Sequence, residues 1–263
     1  MRIGVAATAP LGADVLERLA EAEEVAFLLT RPDAPRGRGR RVGPPPAKEV
    51  AERLGIPVLQ PERPADAELP ETDAIVVAAY GLLIPESLLE RTLWLNVHPS
   101  LLPRWRGAAP VERAIMAGDA ETGVTIHETV NALDAGPIAA QRAFPIGAED
   151  DAGSVYARAG ALAAELLRDV LPSPRFEPQP EDGVTYAEKI GPEDRKLDLA
   201  NPEQAVRTVR ALSPHIGARA ELHGRGVTVW RAHLEDGALV PDEVQPDGKR
   251  RMAYAEFLRG VRP

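Results

Sequence analysis

Two side chains able to do chemistry stand two residues apart in the stretch LNVHPSLLPRWRGAAP, Leu95 to Pro110: Asn96 and His98. If Leu93–His98 is a strand, alternation puts both on one side. An amide can donate a hydrogen bond to a developing oxyanion, and an imidazole can move a proton near neutral pH. A third candidate, Asp134, lies in the turn Asn131-Ala132-Leu133-Asp134-Ala135-Gly136-Pro137. Taken singly, these residues decide little. An Asn and a His at this spacing also serve as a turn cap and a packed ring, and an aspartate in a Gly/Pro turn is commonly only a turn former.

The elements that must position them are legible in outline. Arg2–Ala7 (RIGVAA) reads as a buried parallel strand, Gly12–Ala22 as a helix and Val25–Thr30 as a second strand, which together make a right-handed βαβ unit. Ala74–Ala79 is a continuous apolar run and so a central strand. Tyr80-Gly81-Leu82-Leu83-Ile84-Pro85 follows its C-terminal end, where open α/β sheets hold ligands. Ala47–Leu54, Pro85–Leu89 and Val111–Ala117 read as helices, with Ile56–Leu59 extended. Gly123–Val130 alternates Val124, Ile126, Glu128 and Val130 against Thr125, His127 and Thr129, the pattern of a half-exposed strand. Ile138–Phe144 is a further strand and Asp151–Leu171 a long helix that closes the domain. The first turn, Ala6–Gly12, lacks G-x-G-x-x-G, which argues against a nicotinamide dinucleotide.

Composition narrows the classes. The chain has 263 residues, enough for one large or two modest domains, and no cysteine, so disulfides and thiolate metal sites are excluded. Histidines 98, 127, 215, 223 and 233 show no ligand spacing, and no metal is expected. No apolar run approaches bilayer length and no signal-type segment opens the chain, so a cytoplasmic protein, with no membrane partner, is expected. The net charge of −9 argues against nucleic acid, yet it is unevenly spread. In Arg31–Pro46 (RPDAPRGRGRRVGPPP) thirteen of sixteen residues are Arg, Gly or Pro, too many for a regular helix or strand, and the segment carries +4. It reads either as a solvated surface loop or as a basic arm that orders against phosphates.

The full string around Asn96 resembles the signature of the folate-dependent formyltransferases: Asn96, His98, Ser100-Leu101-Leu102-Pro103 and Arg106-Gly107. The continuation Arg104-Trp105-Arg106-Gly107-Ala108-Ala109-Pro110 is similar to the branch whose acceptor is a methionyl initiator tRNA. The resemblance covers nearly the whole chain and implies a Rossmann-like N-terminal α/β domain over residues 1–172, a linker over 173–190, and a small C-terminal OB-like β-barrel over 191–263. That barrel looks shortened between Arg231 and Glu243. The resemblance further implies transfer of a formyl group from 10-formyltetrahydrofolate to the amino acid's α-amine by a monomer. In that role Asn96 and His98 would stabilise the oxyanion, and Asp134 would hold His98 and help pass a proton.

By the same resemblance Tyr80, Gly81, Leu82, Leu83, Ile84, Pro85, Ser100, Leu101, Leu102 and Pro103 would line the folate pocket. The basic arm, with Arg36, Arg38, Arg40, Arg41 and Lys48, would take the tRNA acceptor arm. Three departures stand out: the first turn, Ala135 in place of a hydroxyl residue, and Pro137-Ile138 after the glycine. Alternatives are a formyltransferase for a small amine (glycinamide ribonucleotide or an amino-sugar nucleotide) and a non-catalytic tRNA- or folate-binding module.

Overall fold

Unbroken apolar runs fill the middle of a seven-stranded sheet, because strands covered on both faces need no polar side. The computed structural model describes residues 1–36 and 41–261. In chain order it has β1 (Arg2–Ala7), α1 (Pro10–Ala20), β2 (Glu24–Leu29), β3 (Ala34–Arg36), β4 (Arg41–Gly43), α2 (Pro46–Leu54), β5 (Val58–Leu59), β6 (Ala74–Ala78), α3 (Glu86–Leu89) and β7 (Leu93–His98). There follow the two-residue β8 (Arg106–Gly107), α4 (Pro110–Ala117), β9 (Glu121–Glu128), β10 (Ile138–Pro145) and α5 (Ala152–Val170). The remainder holds β11 (Tyr186–Ala187), α6 (Pro202–Leu212), β12 (Ala218–Leu222), β13 (Arg225–Glu235), β14 (Ala238–Pro246), β15 (Met252–Ala253) and α7 (Tyr254–Arg259). Among the described residues no helix is long and apolar enough to cross a membrane.

The chain forms two compact units that alternate along the sequence. One is Met1–Arg106, Gly123–Ala143 and Ala157–Thr185; the other is Gly107–Thr122, Phe144–Tyr156 and Tyr186–Pro263. In the first, strand order is β10-β9-β7-β6-β1-β2-β5. The five strands from β7 to β5 run parallel, and β9 is antiparallel to β7. This is the α/β class with a parallel central sheet. Gly12 opens α1 against that sheet: a Cβ there would sit 2.3 Å from Ala78 O and 2.7 Å from Ala7 Cβ. The first turn therefore uses its glycine for close helix–sheet approach.

Two expectations need correction. β9 is not half-exposed: Thr122 to His127 are all buried, so the strand is covered on both faces and not on one. Its polar side chains are accommodated by hydrogen bonds. Thr125 Oγ1 donates to Ser100 O (2.7 Å) and accepts from Leu102 N (3.1 Å) and Gln141 Nε2 (2.7 Å). The Arg/Gly/Pro-rich segment is likewise not wholly irregular. β3 and β4 pair antiparallel, Ala34 with Gly43, Pro35 with Val42 and Arg36 with Arg41. Each strand of a two-stranded ribbon has a free edge, and that tolerates a proline without an N–H.

Arg38 and Arg40 lie outside the described residues. At the root of this arm Lys48 Nζ donates to both Asp33 carboxylate oxygens (2.9 Å each). Gln60 Nε2 donates to Asp33 Oδ1 (2.7 Å) and Arg31 O (2.8 Å).

In the second unit β12-β13-β14-β15 form a four-stranded antiparallel sheet. It shares a core of Val209, Leu212, Ala218, Val227, Val229, Val244 and Phe257 with α6 and α7. Strands β13 and β14 are joined directly. Glu235 pairs with Ala238 around Asp236-Gly237, whose φ values of 50° and 76° suit a two-residue hairpin turn.

Candidate active site

Parallel strands that stop together leave a crevice beyond their carboxyl ends, and β7 ends there with Asn96 and His98. The β7–β9 register sets Asn96 opposite His127 and His98 opposite Thr125. The loop after β9 returns Asp134 to the same place. Asn96 Nδ2 donates to Asp134 Oδ1 at 3.2 Å and meets His127 Nε2 at 3.1 Å. Asp134 Oδ2 lies 3.7 Å from His98 Nδ1, and Asp134 Oδ1 lies 3.7 Å from His127 Nε2. The three residues singled out from the sequence are thus brought together, and His127 joins them.

The hydrogen bonds fix the tautomers. His98 Nε2 faces Trp105 O at 2.8 Å, so it carries a proton and donates it. The Nδ1 atom, facing Asp134, is the one left to take up or release a proton. His127 Nδ1 faces Glu128 O at 2.8 Å and must donate, which leaves Nε2 to accept from Asn96. Both N–H groups of Asn96 are thereby directed at partners, one to His127 and one to Asp134. The reverse amide orientation would set its oxygen against a carboxylate and an unprotonated nitrogen.

Burial pushes His127 down to about 4, the nearby charge of His98 acts in the same direction, and Asp134 opposes both. His127 is therefore the neutral member of the cluster. The unfolded chain binds this proton near 6.5 and the folded chain only near 4. Stability should therefore fall as pH drops through that window. Urea unfolding between pH 7 and pH 4 is expected to show a shallower loss in His127→Gln than in the parent. Parallel losses would assign the acid limb to other groups.

Two strained backbone positions hold the cluster. Trp105 has φ 64°, rare for so bulky a residue, and in that conformation its carbonyl meets His98 while its N–H donates to Thr185 Oγ1 at 2.9 Å. Asp134 has φ 44°. Two residues on, a Cβ at Gly136 would fall 1.9 Å from Glu128 O, so no other residue fits there. Among the described residues no group of three or more His, Asp or Glu side chains is arranged to hold a metal ion.

The other expected positions divide by burial. Tyr80 is turned into the core with Phe27, Ile75 and Trp94; its hydroxyl meets no hydrogen-bond partner among the described residues, and burial pushes it up to about 12. Ile84, Ser100 and Leu102 are also buried. These four can shape a pocket only from behind. Gly81 and Leu83 are exposed, Leu83 at 80 %, whereas Leu82, Pro85, Leu101 and Pro103 are half-buried.

Comparison with known proteins fits this geometry. The model of the formyl transferase family matches residues 1–171, and the chain belongs to that family. Over 99% of its length it is similar, at 39% identity, to the methionyl-tRNA formyltransferase of Paracoccus denitrificans, of which it covers 98%. That alignment runs over 292 positions, 29 more than the chain has residues, so the relative contains at least that much additional chain.

Among solved structures, a variant of HypX from Aquifex aeolicus superposes with TM-score 0.71 at 23% identity, covering 99% of this chain and 50% of HypX; the chain spans about half the length of that protein. A methionyl-tRNA formyltransferase from Clostridium thermocellum superposes with TM-score 0.66 at 16% identity, covering 94% and 98% of the two chains. Both share the fold.

Proposed function

We propose that the chain transfers the formyl group of 10-formyltetrahydrofolate to the α-amine of methionyl initiator tRNA, in the cytoplasm, for initiation of protein synthesis. The observation that carries this reading is the gathering of Asn96, His98 and Asp134 in a chain 39% identical along its length to a methionyl-tRNA formyltransferase.

The neutral α-amine attacks the formyl carbon, forming a C–N bond and placing negative charge on the formyl oxygen. His98 and one N–H of Asn96, the one now given to Asp134, stabilise that oxygen; one such donor contributes about 3 kcal/mol. The proton lost by the amine passes by way of His98 Nδ1, Asp134 and water to the folate nitrogen, and the bond from that nitrogen to the formyl carbon breaks. Neutral His127 holds the Asn96 amide in its working orientation.

Of the folate-pocket positions, Gly81, Leu82, Leu83, Pro85, Leu101 and Pro103 have the exposure to touch the donor. The protein acts as a monomer, with residues 1–172 as the catalytic domain, 173–190 as a linker and 191–263 as a C-terminal domain. In that last domain the four-stranded sheet stands for an OB-like barrel pared down to one hairpin between Arg231 and Glu243.

The test is formylation of charged initiator tRNA with the folate donor, run beside glycinamide ribonucleotide and an amino-sugar nucleotide as acceptors. Formylated methionyl-tRNA is the expected product; turnover confined to a small amine would reassign the acceptor, and none with any acceptor would leave a binding module.

A further inference from the structure

Gln179 lies eight residues past the end of the family match, in the proline-rich stretch Leu171–Pro180 that reads from sequence as a tether. In the structure that stretch is stitched to the catalytic unit. Glu177 and Ile138 exchange both backbone hydrogen bonds, at 2.7 and 2.9 Å, so the chain runs back along β10. This sets Gln179 against the turn that carries Asp134. Its Nε2 donates to Asp134 O and to Gly136 O, each at 2.8 Å. Its Oε1 accepts from Arg106 Nε at 3.1 Å and Nη2 at 2.6 Å.

Two donors and two acceptor sites are all that a primary amide has, and here each is used. Pro178 and Pro180 on either side restrict the backbone that delivers it. The turn it grips needs holding, since Asp134 sits at φ 44°, a conformation that persists only where surroundings impose it.

We propose that Gln179 is a positioning residue for the Asp134 carboxylate. It clamps the 134–136 turn to Arg106 of the Arg-Trp-Arg-Gly segment, and the catalytic machinery extends beyond residue 171 to include it. This rests on the formyl-transfer reading above. Asp134 reaches Asn96 at 3.2 Å and His98 at 3.7 Å, so a small drift of the turn would cost alignment at both. Misplacements of about 1 Å can cost up to a hundredfold in rate.

The experiment compares full-length Gln179→Ala and Gln179→Glu with the parent. Glutamate keeps the size of the side chain and the Arg106 contact, but it loses both N–H donors and sets an oxygen against two carbonyls. A clamp predicts kcat for formyl transfer down about tenfold in Q179A and further in Q179E, with KM for donor and tRNA within about twofold of the parent. A space-filling role predicts the reverse order, Q179E near the parent and Q179A destabilised.

Amide hydrogen exchange over residues 132–136 gives a second readout that needs no turnover, and it should quicken in both variants. Parent-like kcat in Q179E, or unchanged exchange in both, would overturn the clamp. A parent enzyme that formylates no acceptor at all would overturn the functional reading while leaving the exchange result to judge Gln179.

Discussion

His98→Ala is expected to lower kcat for formyl transfer by about a hundredfold or more, with KM for the folate donor and for tRNA little changed. His98 is 4% exposed, with Nε2 spent on Trp105 O, so the ring nitrogen left for chemistry is Nδ1, which faces Asp134. An atom so placed contributes little to holding either substrate in the ground state. Its worth lies in proton transfer and in charge near the oxyanion, interactions strongest in the transition state.

Asn96→Ala should act similarly for a second reason. It removes an oxyanion donor and also strips His127 Nε2 of its partner, leaving a buried unpaired acceptor. The measurement is steady-state kinetics on purified variants whose unfolding transitions match the parent's. Near-parent turnover in either variant would falsify the oxyanion assignment.

The parts of this site that were legible in the sequence are those where local pattern and burial agree. β1, β6 and β7 are unbroken or nearly unbroken apolar runs, and Asn96 and His98 fall on one face of β7 as alternation requires. Gly55 and Gly118 end α2 and α4 in left-handed caps, as their place after periodic segments suggests.

His127 was not legible, and the reason is topological. Strict alternation along Gly123–Val130 assigns Thr125 and His127 to a solvent face, but β9 is an inner strand whose side chains are buried on both faces. Alternation reports polarity, and it cannot say whether the polar face meets water or a set of hydrogen bonds. The available signal was the separation of the two segments: once β9 pairs with β7, His127 stands opposite Asn96. Tyr80, a pocket position by resemblance only, has its ring in the core cluster with Trp94, which a position after a strand end does not reveal. Gln179 was hidden by its neighbours, because prolines that read as a spacer also stiffen a strap that bridges to β10.

The basic arm should give the other large effect. Changing Arg36, Arg38, Arg40 and Arg41 together to Ala is expected to raise KM for tRNA roughly ten- to a hundredfold near physiological salt and to leave KM for the folate donor unchanged. The chain as a whole carries −9 and repels a polyanion, so the +4 of Arg31–Pro46 has to offset that field locally. In the β3–β4 ribbon the backbone register sets position 36 opposite position 41, so the two are neighbours in the fold although five residues apart in sequence.

Lys48 differs from these arginines. Its ammonium is already bound to Asp33 and is only 17% exposed, so Lys48→Ala should loosen the root of the arm more than it weakens the grip on phosphate. The diagnostic is salt dependence. Every phosphate that is no longer neutralised lowers the log–log slope of tRNA affinity against salt by roughly 0.7 to 0.9, so the quadruple variant should drop by about 3 in slope and Lys48→Ala by well under 1. A quadruple variant with the parent's slope would return Arg31–Pro46 to an ordinary surface loop and place the tRNA-binding surface elsewhere on the chain.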